Sequence, residues 1–124
     1  MASKETLIPF ELSDNLHHTW FFDLDGTIFK WNGLFDDGYD TLLPGVKELW
    51  ESIPLDDVIV ISTARKSCWK EKSVKTLVDN GLWYNFLLFD CAHGERIVVN
   101  DNKPEFNLKT AIAWNVERDK GFPQ

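Results

Sequence analysis

Thr19-Trp20-Phe21-Phe22-Asp23-Leu24-Asp25-Gly26-Thr27 decides how this chain is read. The aromatic run has the length of a buried strand, and it ends abruptly in two carboxylates, a glycine and a hydroxyl. Gly26 accepts backbone angles that a side chain forbids, so the strand is expected to stop there. Carboxylates at the carboxyl end of a buried strand lie where open α/β sheets place their ligands. Asp23 and Asp25 are two apart, so an extended chain sends both side chains toward one face. Like charges held that close call for a cation between them or a proton on one of them. Asp25-Gly26 alone would read rather as an ordinary turn of a hairpin or a β-to-α connection.

Other hydrophobic runs recur outward from this stretch. Asp57-Val58-Ile59-Val60-Ile61-Ser62-Thr63 has the β-branched pattern of a strand buried on both faces of a parallel sheet. Phe86 to Phe89 predicts a third strand and Arg96-Ile97-Val98-Val99-Asn100-Asp101 a fourth, again ending in a carboxylate. Residues 110–116 read as a fifth strand or as a helix. Pro44 followed by Val46, Leu49 and Trp50 predicts a short helix. Residues 67–80 predict the main crossover helix, with Val74, Leu77 and Val78 on its buried face and Asn80-Gly81 as its stop. Strands alternating with helices imply an α/β, doubly wound, mainly parallel, Rossmann-like sheet. Residues 1–18, with the pair His17-His18, read as an N-terminal arm or leading element, and 19–124 as one catalytic domain. The histidines read as polar residues before a strand, for want of a third metal ligand.

The chain has 124 residues, enough for one core, and a net charge of −7. That charge argues against a broad nucleic-acid footprint, which needs clustered Lys and Arg. The tryptophans and Phe106 read as core and flap side chains rather than a base-stacking platform. Two cysteines, Cys68 and Cys91, without metal spacing suggest a reducing compartment. With no secretory leader and no run approaching the roughly 18 apolar residues of a membrane span, a cytoplasmic location off the membrane is expected.

The strand-end residues together resemble the haloacid dehalogenase-like superfamily, whose members are mostly magnesium-dependent phosphatases. Phe21-Phe22-Asp23-Leu24-Asp25-Gly26-Thr27 resembles the first motif, Ser62-Thr63-Ala64 the second and Asn100-Asp101 the fourth. The likeness spans residues 19 to about 116. It implies that Asp23 is the nucleophile and forms an aspartyl-phosphate, and that Asp25 is the general acid/base. It implies that the Thr63 hydroxyl and the Ala64 N–H hold the phosphoryl group. It also implies Mg2+ held by Asp23, the Asp25 carbonyl and Asp101, with Gly26, Thr27 and Asn100 in support. The family's sheet order would set the fourth strand beside the first, bringing Asp101 to Asp23.

The family's third-motif lysine has no counterpart here. Arg96 is named for its place, with His93, Lys72 and Lys103 as alternatives. Arg65 reads equally as a substrate ligand or as an exposed helix-start residue. No cap is inserted, which resembles the small capless phosphatase branch. Specificity is then expected to come from a flap carrying Trp31 and Phe35, or from a neighbouring copy in a homo-oligomer. The expected substrate is a small phosphorylated metabolite such as a sugar phosphate or nucleotide. A nucleic-acid end phosphatase and a noncatalytic metal-binding module are the alternatives.

Overall fold

A computed structural model describes residues 7–124. Its framework is a three-stranded parallel sheet in the order β1 (Thr19–Asp23), β2 (Val58–Ser62), β3 (Phe86–Leu88). Helix α1 (Gly33–Asp36) sits in the flap, α2 (Val46–Ser52) leads toward β2, and α3 (Lys70–Asp79) joins β2 to β3.

The register sets Asp23 opposite Ser62 and Phe22 opposite Ile61, with Ile61 opposite Leu87. Side-chain alternation therefore puts Trp20, Phe22, Ile59, Ile61 and Leu87 on one face. That face is the core: Phe22, Ile59 and Ile61 are buried with Val46, Leu49 and Trp50 of α2 and Leu77 of α3. The opposite face carries Phe21, Phe86 and Leu88, which are 63%, 59% and 49% exposed. On that face only Val60 and Ser62 of the central strand are buried, so the outer strands are covered on one face only. A doubly wound sheet needs helices on both.

Two expectations fail in the same part of the chain. The predicted fourth strand is not in the sheet: Ile97, Val98 and Val99 have no strand partner and stand exposed. Residues 110–116 form neither strand nor helix. β-Branched residues favour a pleated, half-buried surface, but a strand also needs an edge to pair with. Residues 100–110 instead bond locally. Lys103 and Leu108 exchange backbone hydrogen bonds of 2.8 and 3.0 Å, and the Thr110 hydroxyl donates to the Asp101 carbonyl.

The crossover helix begins at Lys70, after a 3-10 turn at Ser67–Trp69, and stops at Asn80-Gly81 as expected. Its buried stripe is Ser73 and Leu77, whereas Val78 is 65% exposed. Ser73 faces inward because its hydroxyl donates to the Trp69 carbonyl and accepts from Arg65.

Both ends of the described chain join the core. Leu7, Ile8 and Phe122 are buried, and Trp114 meets Phe10 and Phe122 edge to face. Near the C-terminus the chain crosses the start of α2, where the Phe122 N–H donates to the Pro44 carbonyl at 2.8 Å. Gly45 and Gly121 make this crossing feasible: a Cβ on either would collide with the other strand's carbonyl oxygen. At the amino end of β2 the buried Asp57 accepts from the His18 N–H and from Trp20 Nε1. The His17-His18 pair therefore faces a structural carboxylate, at the sheet end remote from Asp23.

Candidate functional site

The residues after β1 form a compact turn. The N–H groups of Thr27, Ile28 and Phe29 converge on the Leu24 carbonyl, and the Gly26 N–H donates to the Phe29 carbonyl at 2.7 Å. The fully buried Leu24 side chain pins this turn to the core, which leaves Asp23 and Asp25 directed away from it. Gly26 takes φ +86°, the left-handed region the sequence predicts.

The two carboxylates do not share a cation. Asp23 accepts from Arg96 at 3.2 Å and from the Thr27 hydroxyl at 3.3 Å, and the same arginine reaches the Ser62 carbonyl. Both side chains of the Asp23–Arg96 pair are 42% exposed. Burial pushes the Asp23 carboxyl above its usual range, with the Asp25 charge adding to the effect, although Arg96, the Leu24 N–H and Thr27 each act the other way. Burial thus outweighs these three partners. Among the candidates for the missing lysine, the structure brings Arg96 to Asp23; Lys72 lies on the exposed side of α3, with its ammonium 5.6 Å from the Trp69 ring.

Asp25 is held by Arg65 in a two-pronged pair, Nε to Oδ2 at 3.1 Å and Nη2 to Oδ1 at 2.7 Å. The other side of the guanidinium binds Asp40 in the same forked manner, at 2.6 and 3.1 Å, and Ser73 at 2.9 Å. The Arg65 and Asp40 side chains are only 2% and 1% exposed. Burial alone would lower the Arg65 pKa, but the hydrogen bonds and charges of Asp25 and Asp40 outweigh it and hold the guanidinium protonated. Arg65 is neither exposed nor open to a substrate. It is the buried bolt between the β2 end, the flap and α3.

Thr63 is buried at the end of β2, its N–H paired with the Leu88 carbonyl and its hydroxyl oxygen accepting from the Arg65 N–H. That hydroxyl still has a proton to donate. Ala64 is half-buried beside it. Asp101 and Asn100 lie exposed in the segment that left the sheet, with Asn100 bonded to the Thr110 carbonyl. The structure therefore gathers Asp23, Asp25, Gly26, Thr27 and Arg96 but does not bring Asp101 to them. Among the described residues no three His, Cys, Asp or Glu side chains form a metal-holding group. As placed, the residues do not fit a resident Mg2+: Asp23 supplies one carboxylate, and an arginine already stands against it.

Sequence reasoning missed Asp40 and the C-terminal clasp. Asp40 lies in a loop with no period, and nothing local marks its pairing with Arg65. The clasp is made by Asp119, whose carboxylate accepts from the Trp31 N–H at 2.7 Å while its own N–H donates to the Gly26 carbonyl at 3.0 Å. Arg118 stacks over the Trp31 ring, 4.3 Å from its centroid. Two open hollows, of about 520 and about 1070 Å³, lie along residues 8–18 and the C-terminal segment, and neither is lined by Asp23, Asp25 or Thr63.

No model of a known protein family, no curated protein and no solved structure matches the chain. No helix among the described residues is long and apolar enough to cross a membrane.

Proposed function

We propose that this chain is a cytoplasmic, Mg2+-dependent phosphomonoesterase that works through an aspartyl-phosphate on Asp23. The observation that carries the reading is the half-exposed Asp23 carboxylate at the carboxyl end of a parallel strand, with an arginine and a hydroxyl already on its oxygens. A nucleophile of this kind needs access and needs its charge offset as an anionic substrate approaches. Arg96 offers the second. In the first half-reaction an Asp23 oxygen bonds to phosphorus as the ester P–O bond breaks, and the departing oxygen takes a proton from Asp25. In the second, water attacks the phosphorus and gives a proton back to Asp25 as the bond from phosphorus to the Asp23 oxygen breaks, releasing orthophosphate and the free Asp23 carboxylate.

For the acid step Asp25 must leave Arg65, because a guanidinium has only donors and a carboxylate gripped by it has no proton to give. Asp40 keeps Arg65 neutralised meanwhile. Completion of the site also requires segment 96–101 to add to the free edge of β1, which would extend the sheet to four strands. That addition would bury Ile97 to Val99 and set Asp101 beside Asp23 and the Asp25 carbonyl. Those three oxygens would then hold Mg2+, with waters and a phosphoryl oxygen making up the octahedral set it demands, and the ion would supply charge neutralisation. The substrate is a small phosphorylated metabolite, and the net charge of −7 disfavours nucleic-acid ends.

A second reading, a noncatalytic metal-binding module of the same fold, is favoured by one observation: Asp25 is committed to Arg65 on both oxygens. Phosphate release from an aryl phosphate, with Mg2+ and with a chelator, separates the two. The phosphatase predicts metal-dependent turnover that Asp23→Asn abolishes while its circular dichroism stays that of the wild type. Turnover that persists in Asp23→Asn removes the nucleophile assignment.

A further inference from the structure

The flap leaves an aromatic surface uncovered beside the Asp23 turn. Its base is closed by the Lys30 N–H donating to the Thr41 carbonyl and the Leu43 N–H donating to the Ile28 carbonyl, at 2.8 and 2.9 Å. Trp31 follows this closure and touches the turn itself: a Cβ placed on Gly26 would lie 3.7 Å from both Trp31 Cβ and Cδ1. Its backbone is fixed by Asp119 and one ring face is taken by Arg118, yet the residue remains 44% exposed. In the same flap Tyr39 is 64% exposed, while Phe35, 54% exposed, packs edge to face on Trp69.

A large aromatic ring held rigidly but left wet is a site prepared for a flat partner. An indole stacks on heteroaromatic rings of any identity, and its position is already fixed here, so stacking orders little that was free. The Arg118 guanidinium adds a cation beside the same ring. A bare sugar can lay only C–H groups on this surface, without the ring-on-ring stacking that a base adds. A long polyanion is disfavoured by the chain's net charge of −7.

We infer that Trp31 is the stacking platform for the base of a nucleoside monophosphate. The inference rests on the phosphatase reading of Asp23 and names its leaving group: nucleoside monophosphate and water give nucleoside and orthophosphate. The ester P–O bond breaks, the nucleoside oxygen takes the proton and water supplies the new oxygen on phosphorus.

The test uses the full chain with Mg2+, comparing AMP with ribose 5-phosphate, which is the same ester without the base. The KM for AMP is expected to be at least about tenfold lower, about 1.4 kcal/mol. Trp31→Leu is expected to raise the KM for AMP to that for ribose 5-phosphate and so remove the advantage, and Trp31→Phe to keep most of it. Equal KM values in the wild type, or a Trp31→Leu variant in which both substrates worsen alike, overturn the platform. A 5′- or 3′-phosphorylated oligonucleotide with a KM below that of AMP overturns the mononucleotide assignment. AMP titration followed at the Trp31 indole N–H resonance supplies a readout independent of turnover and of any variant's folding. A wild type that hydrolyses nothing but whose Trp31 resonance shifts with AMP loses the phosphatase reading and keeps the platform. A resonance that does not respond to AMP ends the platform.

Discussion

Asp23 and Asp25 are two residues apart and each faces an arginine, but the two pairs differ in nearly everything else. Arg65 is buried, gripped by two carboxylates and a serine, and its partner Asp40 is sealed from water. Arg96 reaches Asp23 from an exposed segment through one 3.2 Å contact, with both partners 42% exposed. The first pair holds the fold together and keeps Asp25 in place. The second leaves Asp23 free to be displaced by something that binds there. The sequence alone makes the pairs look alike, an acid at a strand end and an arginine further along, and solvent exposure separates their roles.

The largest expected effect comes from breaking the buried pair on one side only. Asp40→Ala strands half of a buried guanidinium, and removal of one partner of such a pair costs about 3–5 kcal/mol. Denaturant melts of the wild type and Asp40→Ala check this. A loss under about 1 kcal/mol would mean that Asp25 and Ser73 suffice, and the contrast between the pairs would weaken.

Arg65→Lys sharpens the comparison at an intermediate scale. An ammonium keeps the charge but cannot fork onto two carboxylates at once, so about 1–3 kcal/mol of stability should be lost. The flap should loosen with it, since Asp40 ties its far end to Arg65. Amide hydrogen exchange is expected to accelerate for residues 33–41 while β2, the central strand, stays protected. Uniform acceleration across the sheet would assign Arg65 to the core at large rather than to the flap.

Arg96→Ala should behave in the opposite way. An exposed pair is worth about 0–1 kcal/mol, so the melting curve should barely move, and what little is lost should disappear in high salt. Under the phosphatase reading, turnover should nevertheless fall at least about tenfold, because an exposed cation that contributes little to the fold is the one available to the substrate. A variant that melts much lower, with turnover unchanged per folded molecule, would reverse the roles of the two arginines.

The same contrast explains what was legible in the sequence. β1, β2 and β3, the short helix at Val46 and the stop at Asn80-Gly81 follow from apolar runs, a capping glycine and turn chemistry, all of which are local. Asp23 at a strand end and the left-handed Gly26 follow the same way. Local pattern does not reveal which edge a run will pair with. Ile97 to Val99 has the composition of a strand but finds none in the sheet, and Phe21 reads as buried yet faces the uncovered side. Nor does it reveal partners brought together by the fold: Asp40 meets Arg65 across 25 residues and Asp119 meets Trp31 across 88.

The smallest effect is the most diagnostic for Asp23. Its carboxyl is pushed up by burial, so the folded protein holds that proton more tightly than the unfolded chain does. Below the ordinary value of 3.8 the group is protonated in both states and costs nothing. As pH rises through the folded value, the native state must ionise a carboxyl it disfavours, and a little stability is lost and stays lost at neutral pH. Asp23→Asn never ionises, so it should melt slightly above the wild type at pH 7, by under about 1 kcal/mol because the side chain is 42% exposed and solvent screens the effect. The difference should shrink to nothing as pH falls through the carboxylate range. A variant that melts below the wild type at pH 7 would mean that the Arg96 contact outweighs burial, and Asp23 would then be a second bolt like Arg65 rather than the loosely held nucleophile proposed here.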